Sequence, residues 1–433
     1  LVYYPAMAVP NVLKIQIYAA LNNKYAGMGL TAANNYKELC EEAIAHDSEL
    51  YDTYNNSMPG GTEDGKKWKG MQSADQKYHI GMTKWNTDSG QLPSLKSVSG
   101  DSGAQMSVLV EGITGSKTSA ATEGTVSLPA FTNTNKEVYT IELATKGSGE
   151  YSYTAAPSAD WIVLSSTSGK VSSFDAIQVS VDWSKITGST DGTITISDGT
   201  KTVTVNVEVE YTKLDGLDAK TYVMANEYAT IDVTNFAAKK DGKGITNAGK
   251  ETANNMIVVP DNGKYMGSVR TSSSTITYND VAALADAPYV EYKVYVPTTD
   301  NYNLQCQFNP TSNVEYDNTQ LRYGISVDGG SVKITNSIGN EYLAGTWKQG
   351  TWAGDIENNG RSSVVSGISL SAGVHTIRYY QCDPNMALIR MTLYRDSLEK
   401  VYNSPVESFY VGQNVDTAAR LASKKSVYDL IKK

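Results

Sequence analysis

The residues best suited to chemistry fall in two places. In GKKWKGMQSADQKYHIGMTKW, residues 65–85, Trp68, Met71, His79, Met82 and Trp85 lie within a few turns of one another. Such a density of tryptophan, methionine and histidine is unusual in this chain. His79 is one of three histidines, with His46 and His375, and a lone histidine more often holds a structural hydrogen bond. No second histidine stands at metal-ligand spacing, which argues against zinc. The other place is the loop 341–361, where Trp347 and Trp352 accompany Asp355 and Glu357. Exposed tryptophan pairs in sandwich loops stack pyranose rings; they also plug the open ends of sandwiches, the more ordinary use.

No complete catalytic constellation accompanies them. There is no G-x-S-x-G elbow, P-loop, G-x-G-x-x-G after a strand, or H-E-x-x-H. The 46 carboxylates contain many pairs, but the ~5–9.5 Å spacing that glycoside hydrolysis needs is not legible in a sequence. No catalytic residue, cofactor-binding residue or metal ligand is therefore assigned, and no cofactor is expected. Cys40, Cys306 and Cys382 are odd in number and far apart, which excludes a disulfide framework and C-x-x-C spacing. Cys306 falls on the apolar face of a strand, a core position; a Cys306–Cys382 bridge stays open.

The elements that must position these residues are mainly β. Asn11–Gly29 has apolar residues at a helical period, through Val12, Ile15, Tyr18, Ala19 and Tyr25, with the polar Asn22 on the same stripe, and Thr31 caps a second helix with its stripe at Tyr36, Leu39, Ala43, Ile44, Leu50, Tyr51 and Tyr54. Leu1–Pro10 carries no start signal, so the chain is expected to continue upstream in the natural protein. A Ser, Thr and Gly-rich shift from Ser97, with one strand through Met106, Val108 and Val110, opens an all-β region. There Tyr139, Ile141 and Leu143 alternate, Trp161–Leu164 reads as a short buried run, Ile177, Val179, Val181 and Trp183 alternate, and an Asp198-Gly199 turn joins Ile194 and Ile196 to Val203–Val209. After a connector at Tyr211–Lys220, a second sandwich runs from about Tyr222 to Tyr394. Its densest stretch, Pro288–Gly330, holds three alternating strands read as antiparallel neighbours, and Ala387, Ile389, Met391 and Leu393 form a final strand. Asp416–Lys433 reads as an amphipathic helix docking Ala418, Leu421, Val427, Leu430 and Ile431, with Lys424, Lys425, Lys432 and Lys433 outward. The expected architecture is an α-helical segment (1–96), two antiparallel β-sandwiches (97–212 and 213–398) and a tail with a helix (399–433).

Composition narrows the partners. A net charge of −9 without a Lys/Arg cluster argues against nucleic acid and an anionic membrane surface, and no apolar run approaches the ~20 residues that span a bilayer. The 29 Tyr against 5 Phe and 6 Trp suit strands first and sugar-stacking faces second.

Several motifs in order carry a resemblance. YYPAMAVPNVLKIQIYAALNNKYA, YDTYNN and GKKWKGMQSADQKYHIGMTKW within Tyr3–Leu95 resemble the helical domain that follows the barrel in glycoside hydrolase family 115, the xylan α-1,2-glucuronidases. SLPAF at Ser127–Phe131, ADWIVLSSTSG at Ala159–Gly169 and VSVDW at Val179–Trp183 resemble the β-domain after those helices, and also BACON-type sandwiches of Bacteroidetes glycan-degrading enzymes. LRYGISVDGG at Leu321–Gly330 and VHTIRYYQCDPNMALIRMTLY at Val374–Tyr394 are similar to the family's carboxyl-terminal sandwich, which is carbohydrate-binding-like. The tail helix lies outside the resemblance.

The resemblance implies an inverting, cofactor-free enzyme that removes glucuronic acid or its 4-O-methyl ether from glucuronoxylan. It also implies an extracytoplasmic location, in the periplasm or at the cell surface, and a homodimer. The family's acid and base reside in an upstream α/β domain and barrel that this chain lacks, so the chain alone is expected to be inactive. Under this reading Trp68, His79 and Trp85 face the barrel or a partner. The competing reading is a non-enzymatic glycan-binding or surface adhesion protein, and a purely structural scaffold is a third; fold resemblance does not separate them. Replacing His79 and Trp85 by Ala in the longer enzyme is expected to lower turnover or weaken dimerisation; unchanged values of both would remove that role.

Overall fold

A computed structural model of the chain describes residues 3–57, 93–100, 102–113, 118–246, 248–311, 321–339, 354–398, 405–422 and 424. Trp68, His79, Trp85, Trp347 and Trp352 lie outside the described residues. Among the described residues the chain forms two long helices, two β-sandwiches and a short tail helix. Among the described residues no helix is long and apolar enough to cross a membrane.

The first helix, Tyr3–Gly27, begins eight residues before the expected start at Asn11. Pro5 sits in the first turn, where an N–H has no intrahelical partner to lose, and Pro10 removes one bond of the ladder without ending it. The second helix, Ala32–Ser57, packs antiparallel to it after Gly29 takes a left-handed φ of +69°. Ile15 and Ala19 bury against Cys40 and Ala43, and Tyr25 stacks on Tyr36 at 5.3 Å between ring centroids. Asn22, fully buried, donates to Ala33 O and Lys96 O and accepts from Lys96 N, each at 2.8 Å. Asn34 exchanges the same pair of bonds with Val98. The buried Asn22 and the half-buried Asn34 thus hold residues 96–98 against the helices.

The first sandwich faces a four-stranded sheet, ordered Gln105–Val110, Tyr139–Lys146, Phe174–Val181 and Ile162–Leu164, against a six-stranded one. The latter orders Gly124–Ser127, Thr202–Glu210, Thr190–Ser197, Tyr151–Pro157 and Ser168–Val171, with Phe131–Thr132 also on Thr202–Glu210. Pairing is antiparallel except where Gly124–Ser127 and Phe131–Thr132 run parallel to Thr202–Glu210. Met106, Val108 and Val110 point into the core as the alternation requires, but Leu109 and Ala144 on the other face are buried too. The helices cover that face: Tyr25, Leu30 and Tyr36 pack on Leu109 and Ala144, Tyr25 OH donates to Glu142 Oε2 at 2.8 Å, and Thr31 N and Oγ1 donate to Thr145 O.

Two expectations for this sandwich fail locally. Trp161–Leu164 is not a buried run: Ile162–Leu164 is an edge strand on which Val163 is 44% exposed. Trp183 leaves the strand and enters a 3₁₀ turn, Trp183–Lys185, because Asp182 accepts from Ser184 N and caps it. The hairpin at Asp198-Gly199 forms as expected, with Asp198 Oδ1 accepting from Thr200 N and Lys201 N and Gly199 at φ +89°.

The second sandwich orders Thr221–Val223, Tyr289–Val296, Gly373–Gln381, Arg322–Val327 and Lys333–Asn336 in one sheet, with Ala238–Lys240 on Tyr289–Val296. The facing sheet orders Met256–Pro260, Gly267–Thr271, Leu388–Tyr394, Asp300–Phe308 and Arg361–Leu370, with Tyr228–Ile231 on Leu388–Tyr394. Tyr289–Val296 and Asp300–Phe308 are therefore not paired neighbours but belong to opposite sheets. The short link after Val296, with Pro297, arches over the sandwich edge instead of closing a hairpin. Val290, Tyr292, Val294 and Val296 then meet Tyr302, Leu304, Cys306 and Phe308 across one core. Alternation fixes the buried face of a strand and says nothing of its neighbour. Leu388–Tyr394 is central, bonded to three strands, and so buries both faces at Leu388, Ile389, Met391 and Thr392. Cys40, Cys306 and Cys382 are free thiols, all buried.

The chain then returns toward the first sandwich. Residues 408–411 bond to Thr230, Val223 and Thr221 through their backbone, and Phe409 N donates to Asn135 Oδ1 of the first sandwich. Residues 417–422 are helical. Lys424, expected to point outward, pairs with Glu111 at 2.6 Å and lies over the Tyr139 ring, while Arg420 reaches Asn135 O. Ala418, expected to dock, is exposed, because the polar Arg420 and Lys424 stripe takes the inward face. Val427, Leu430, Ile431, Lys425, Lys432 and Lys433 lie outside the described residues.

A partly buried charge pair ties the rim of the second sandwich. Asp383, 3% exposed at its side chain, accepts from Arg322 N at 2.6 Å, Nε at 2.9 Å and Nη2 at 2.8 Å. Removing one partner of such a pair strands the other. Asp383→Ala is expected to cost ~3–5 kcal/mol in chemical denaturation; a loss below ~1 kcal/mol would show that Arg322 finds full compensation at Asn279.

Candidate functional site between the two sandwiches

Where the sandwiches meet, a cleft of about 270 Å³ opens beside the connector that joins them. Glu210 ends the last strand of the first sandwich and Tyr211 follows it; Asn226, Glu227, Tyr302 and Arg395 come from the second. Asn226 and Glu227 are the two residues of a tight turn, with Ala225 and Tyr228 exchanging both backbone bonds. Both take a left-handed φ, +50° and +68°. This mirror-image turn favours Asn followed by Gly, and glutamate at the second position is strained unless its side chain is held.

The side chains hold it. Glu227 O accepts Arg395 N at 3.1 Å, and its carboxylate pairs with Arg395 Nη2. Arg395 Nε stands 3.7 Å from Asp300 Oδ2. Asn226 Nδ2 crosses to the first sandwich, donating to Ala130 O at 3.2 Å and Tyr139 OH at 3.4 Å. Tyr302 OH donates to Thr298 O at 2.6 Å, which fixes the arch over the cleft floor. Tyr211 presents its ring to solvent, 37% exposed. Glu210 stays at the mouth; desolvation by its surroundings, then the charges of Glu208 and Glu227, raise its carboxyl above the ordinary glutamate range. A shallower depression of about 430 Å³ adjoins on the outer sheet face, where Asp191 and Glu208 stand directly opposite across the strands.

A second charged group lies on the outer face of the second sandwich. Arg390 stacks on the Tyr265 ring, 3.8 Å from its centroid, and its Nε is buried without a partner among the described residues. Burial pushes the Glu407 carboxyl up to about 7, the charge of Asp232 adds to this, and Arg390 opposes it. His375 bridges Asp328 Oδ2 and Ser371 O, each at 2.7 Å, a structural clasp between two turns. Among the described residues no three His, Cys, Asp or Glu side chains gather as a metal site.

The five aromatic and histidine candidates read from sequence fall outside the described residues, so the structure neither joins nor separates them. Asp355, beside the tryptophan loop, is engaged by Arg361 at 2.9 Å, and Arg361 Nε donates to Ser337 O; it braces the loop base. The cleft residues escaped sequence reading. Tyr211 passed as connector, and Asn226-Glu227 lacks the glycine that signals such a turn.

The second sandwich matches a known family model. Residues 221–407 match the glycosyl hydrolase family 115 C-terminal domain. The match begins at the first strand of the second sandwich and stops just before the segment that returns to the first. No curated protein sequence matches the chain. Among solved structures, a family GH115 4-O-methyl-α-glucuronidase with specificity for decorated arabinogalactans is similar at 11% identity and a TM-score of 0.27, over 44% of this chain and 20% of that one. This chain thus spans about a fifth of that enzyme's length. A GH26-CBM35 β-(1,4)-mannanase from Podospora anserina aligns at 12% identity and a TM-score of 0.23, over 40% of this chain and 29% of its own. A family 35 carbohydrate-binding module from Clostridium thermocellum aligns at 19% and 0.21, over 36% and 98%.

Glu407 gives this region a pH signature. Its folded pKa is raised, so its stabilising contribution is complete below the unfolded glutamate range and is lost as pH rises toward about 7. Glu407→Gln is expected to raise the melting temperature by about 2 °C at pH 8 and to leave it unchanged near pH 4; a fall at pH 8 would show that the ionised carboxylate stabilises the fold through Arg390.

Proposed function

We propose that this chain is the accessory, non-catalytic part of a family 115 glycoside hydrolase. The observation that carries the reading is the match of residues 221–407 to the family's C-terminal domain. The finer reading is an inverting xylan α-1,2-glucuronidase that removes (4-O-methyl)glucuronic acid from glucuronoxylan outside the cytoplasm, with catalysis in an upstream domain of the same polypeptide. The proposed division is a helical segment at 1–96 facing that domain, a BACON-like sandwich at 97–212, the family domain at 213–398 and a tail at 399–433, with a homodimer as the working assembly.

The mechanics support an accessory role. The helices are fastened to the first sandwich by Tyr25, Leu30 and Thr31, and the first sandwich to the second by Asn226 and the returning tail. Fastened in series in this way, the helices and sandwiches set distance and orientation for whatever the helices contact. The match to a hydrolase domain also favours this reading over an adhesion protein.

The test compares this chain alone with the chain joined to its proposed upstream domain, each incubated with glucuronoxylan and assayed for released glucuronic acid. Release by the joined protein and none by this chain is expected. Release by this chain, or none by the joined protein, overturns the proposal.

A further inference from the structure

We infer that the cleft between the sandwiches is a binding site for a single neutral sugar unit. The inference rests on the accessory reading only for the kind of polymer that would carry the sugar. Three features of the cleft point to a hydroxyl-rich ligand. Tyr211 offers an exposed ring against which the apolar face of a sugar can lie. Glu210 and Glu227 present carboxylate oxygens, each able to accept protons from neighbouring hydroxyls. Arg395, anchored between Glu227 and Asp300, supplies donors at the floor.

The site is built before any ligand arrives. Glu227 occupies a left-handed position that is uncommon for a glutamate, and Arg395 holds both its carbonyl and its carboxylate. The two walls come from different sandwiches, yet Asn226 locks them by bonding to Ala130 and Tyr139. A ligand therefore meets donors and acceptors already in place, which lowers the ordering cost of binding. The cleft volume of about 270 Å³ suits one ring and not a chain, so the occupant is a terminal or branching unit.

Charge decides which sugar. Glu210, Glu227 and Asp300 outnumber Arg395, with Glu208 close enough to raise the Glu210 carboxyl. An incoming uronate would add a negative charge to this surplus and be repelled, whereas a neutral pyranose or furanose would not. The cleft would thus hold a neutral branch of a polysaccharide while acidic sugars are handled elsewhere.

Saturation-transfer and chemical-shift NMR on the whole chain tests this with methyl xyloside, methyl galactoside, methyl arabinofuranoside and methyl mannoside, against methyl glucuronide. At least one neutral glycoside is expected to bind saturably, at least fivefold tighter than the glucuronide. Tyr211→Ala and, as an independent variant, Glu210→Gln should each weaken that binding at least fivefold with an unchanged melting temperature. The inference is overturned if none of the four binds, if the glucuronide binds as well as the best of them, or if a folded variant binds as the parent does. Any of these leaves the accessory role standing, because that role is read from glucuronic acid release by the joined protein.

Discussion

Tyrosine hydroxyls inside an apolar core must each find an acceptor, and the second sandwich is arranged around that requirement. Tyr222, Tyr292, Tyr302 and Tyr323 are almost fully buried, where an unpaired hydroxyl is costly. Tyr292 OH reaches Val233 O at 2.7 Å and Tyr222 OH reaches Asp232 O at 3.2 Å, so both rings end on one turn. Tyr302 ends on Thr298 in the arch, and Tyr323 on Ser363 of the facing sheet. A phenylalanine core of the same volume would pack as densely and leave these turns free to move. The rim loops, and the cleft at one end of them, inherit their positions from the core. Tyr379 is the exception, its hydroxyl lacking a partner among the described residues.

Much of this was legible in the sequence, but only at the level of faces. The alternation of Val290–Val296 and Tyr302–Phe308 gives the buried side correctly, because a side chain's direction along a strand depends only on its own parity. Which strand lies beside which depends on whether a short link closes a hairpin or arches between sheets. Pro297 and its neighbours permit either, and here the link arches between the sheets. The helical stripe through Ile15, Ala19 and Tyr25 was likewise plain, whereas the start at Tyr3 was hidden by Pro10, a residue that usually marks an end.

The parts that escaped are those made by distant partners. Leu109 and Ala144 look like the outer face of an ordinary strand until the helices cover them. Asn22 and Asn34 carry no signal of their own, since each finds its partners only when the backbone stretch 96–98 arrives to bond it. The cleft is the extreme case: Glu210, Glu227 and Arg395 come from three separate places in the chain, and each alone reads as surface. The tryptophan candidates are marked by residue type, whereas the cleft depends on backbone shape, which residue type reports weakly when the left-handed turn lacks glycine.

The return of the tail has a mechanical consequence. A pull between the helices and the tail does not load the second sandwich first, because Arg420 and Lys424 fasten the tail to Asn135 and Glu111 of the first sandwich. The force runs from the helices through the first sandwich and out along the tail, and the intervening strands of the second sandwich form a slack loop in that circuit. Only after those anchors part does tension enter the tyrosine core. The two tail anchors thus shield the second sandwich from such a load.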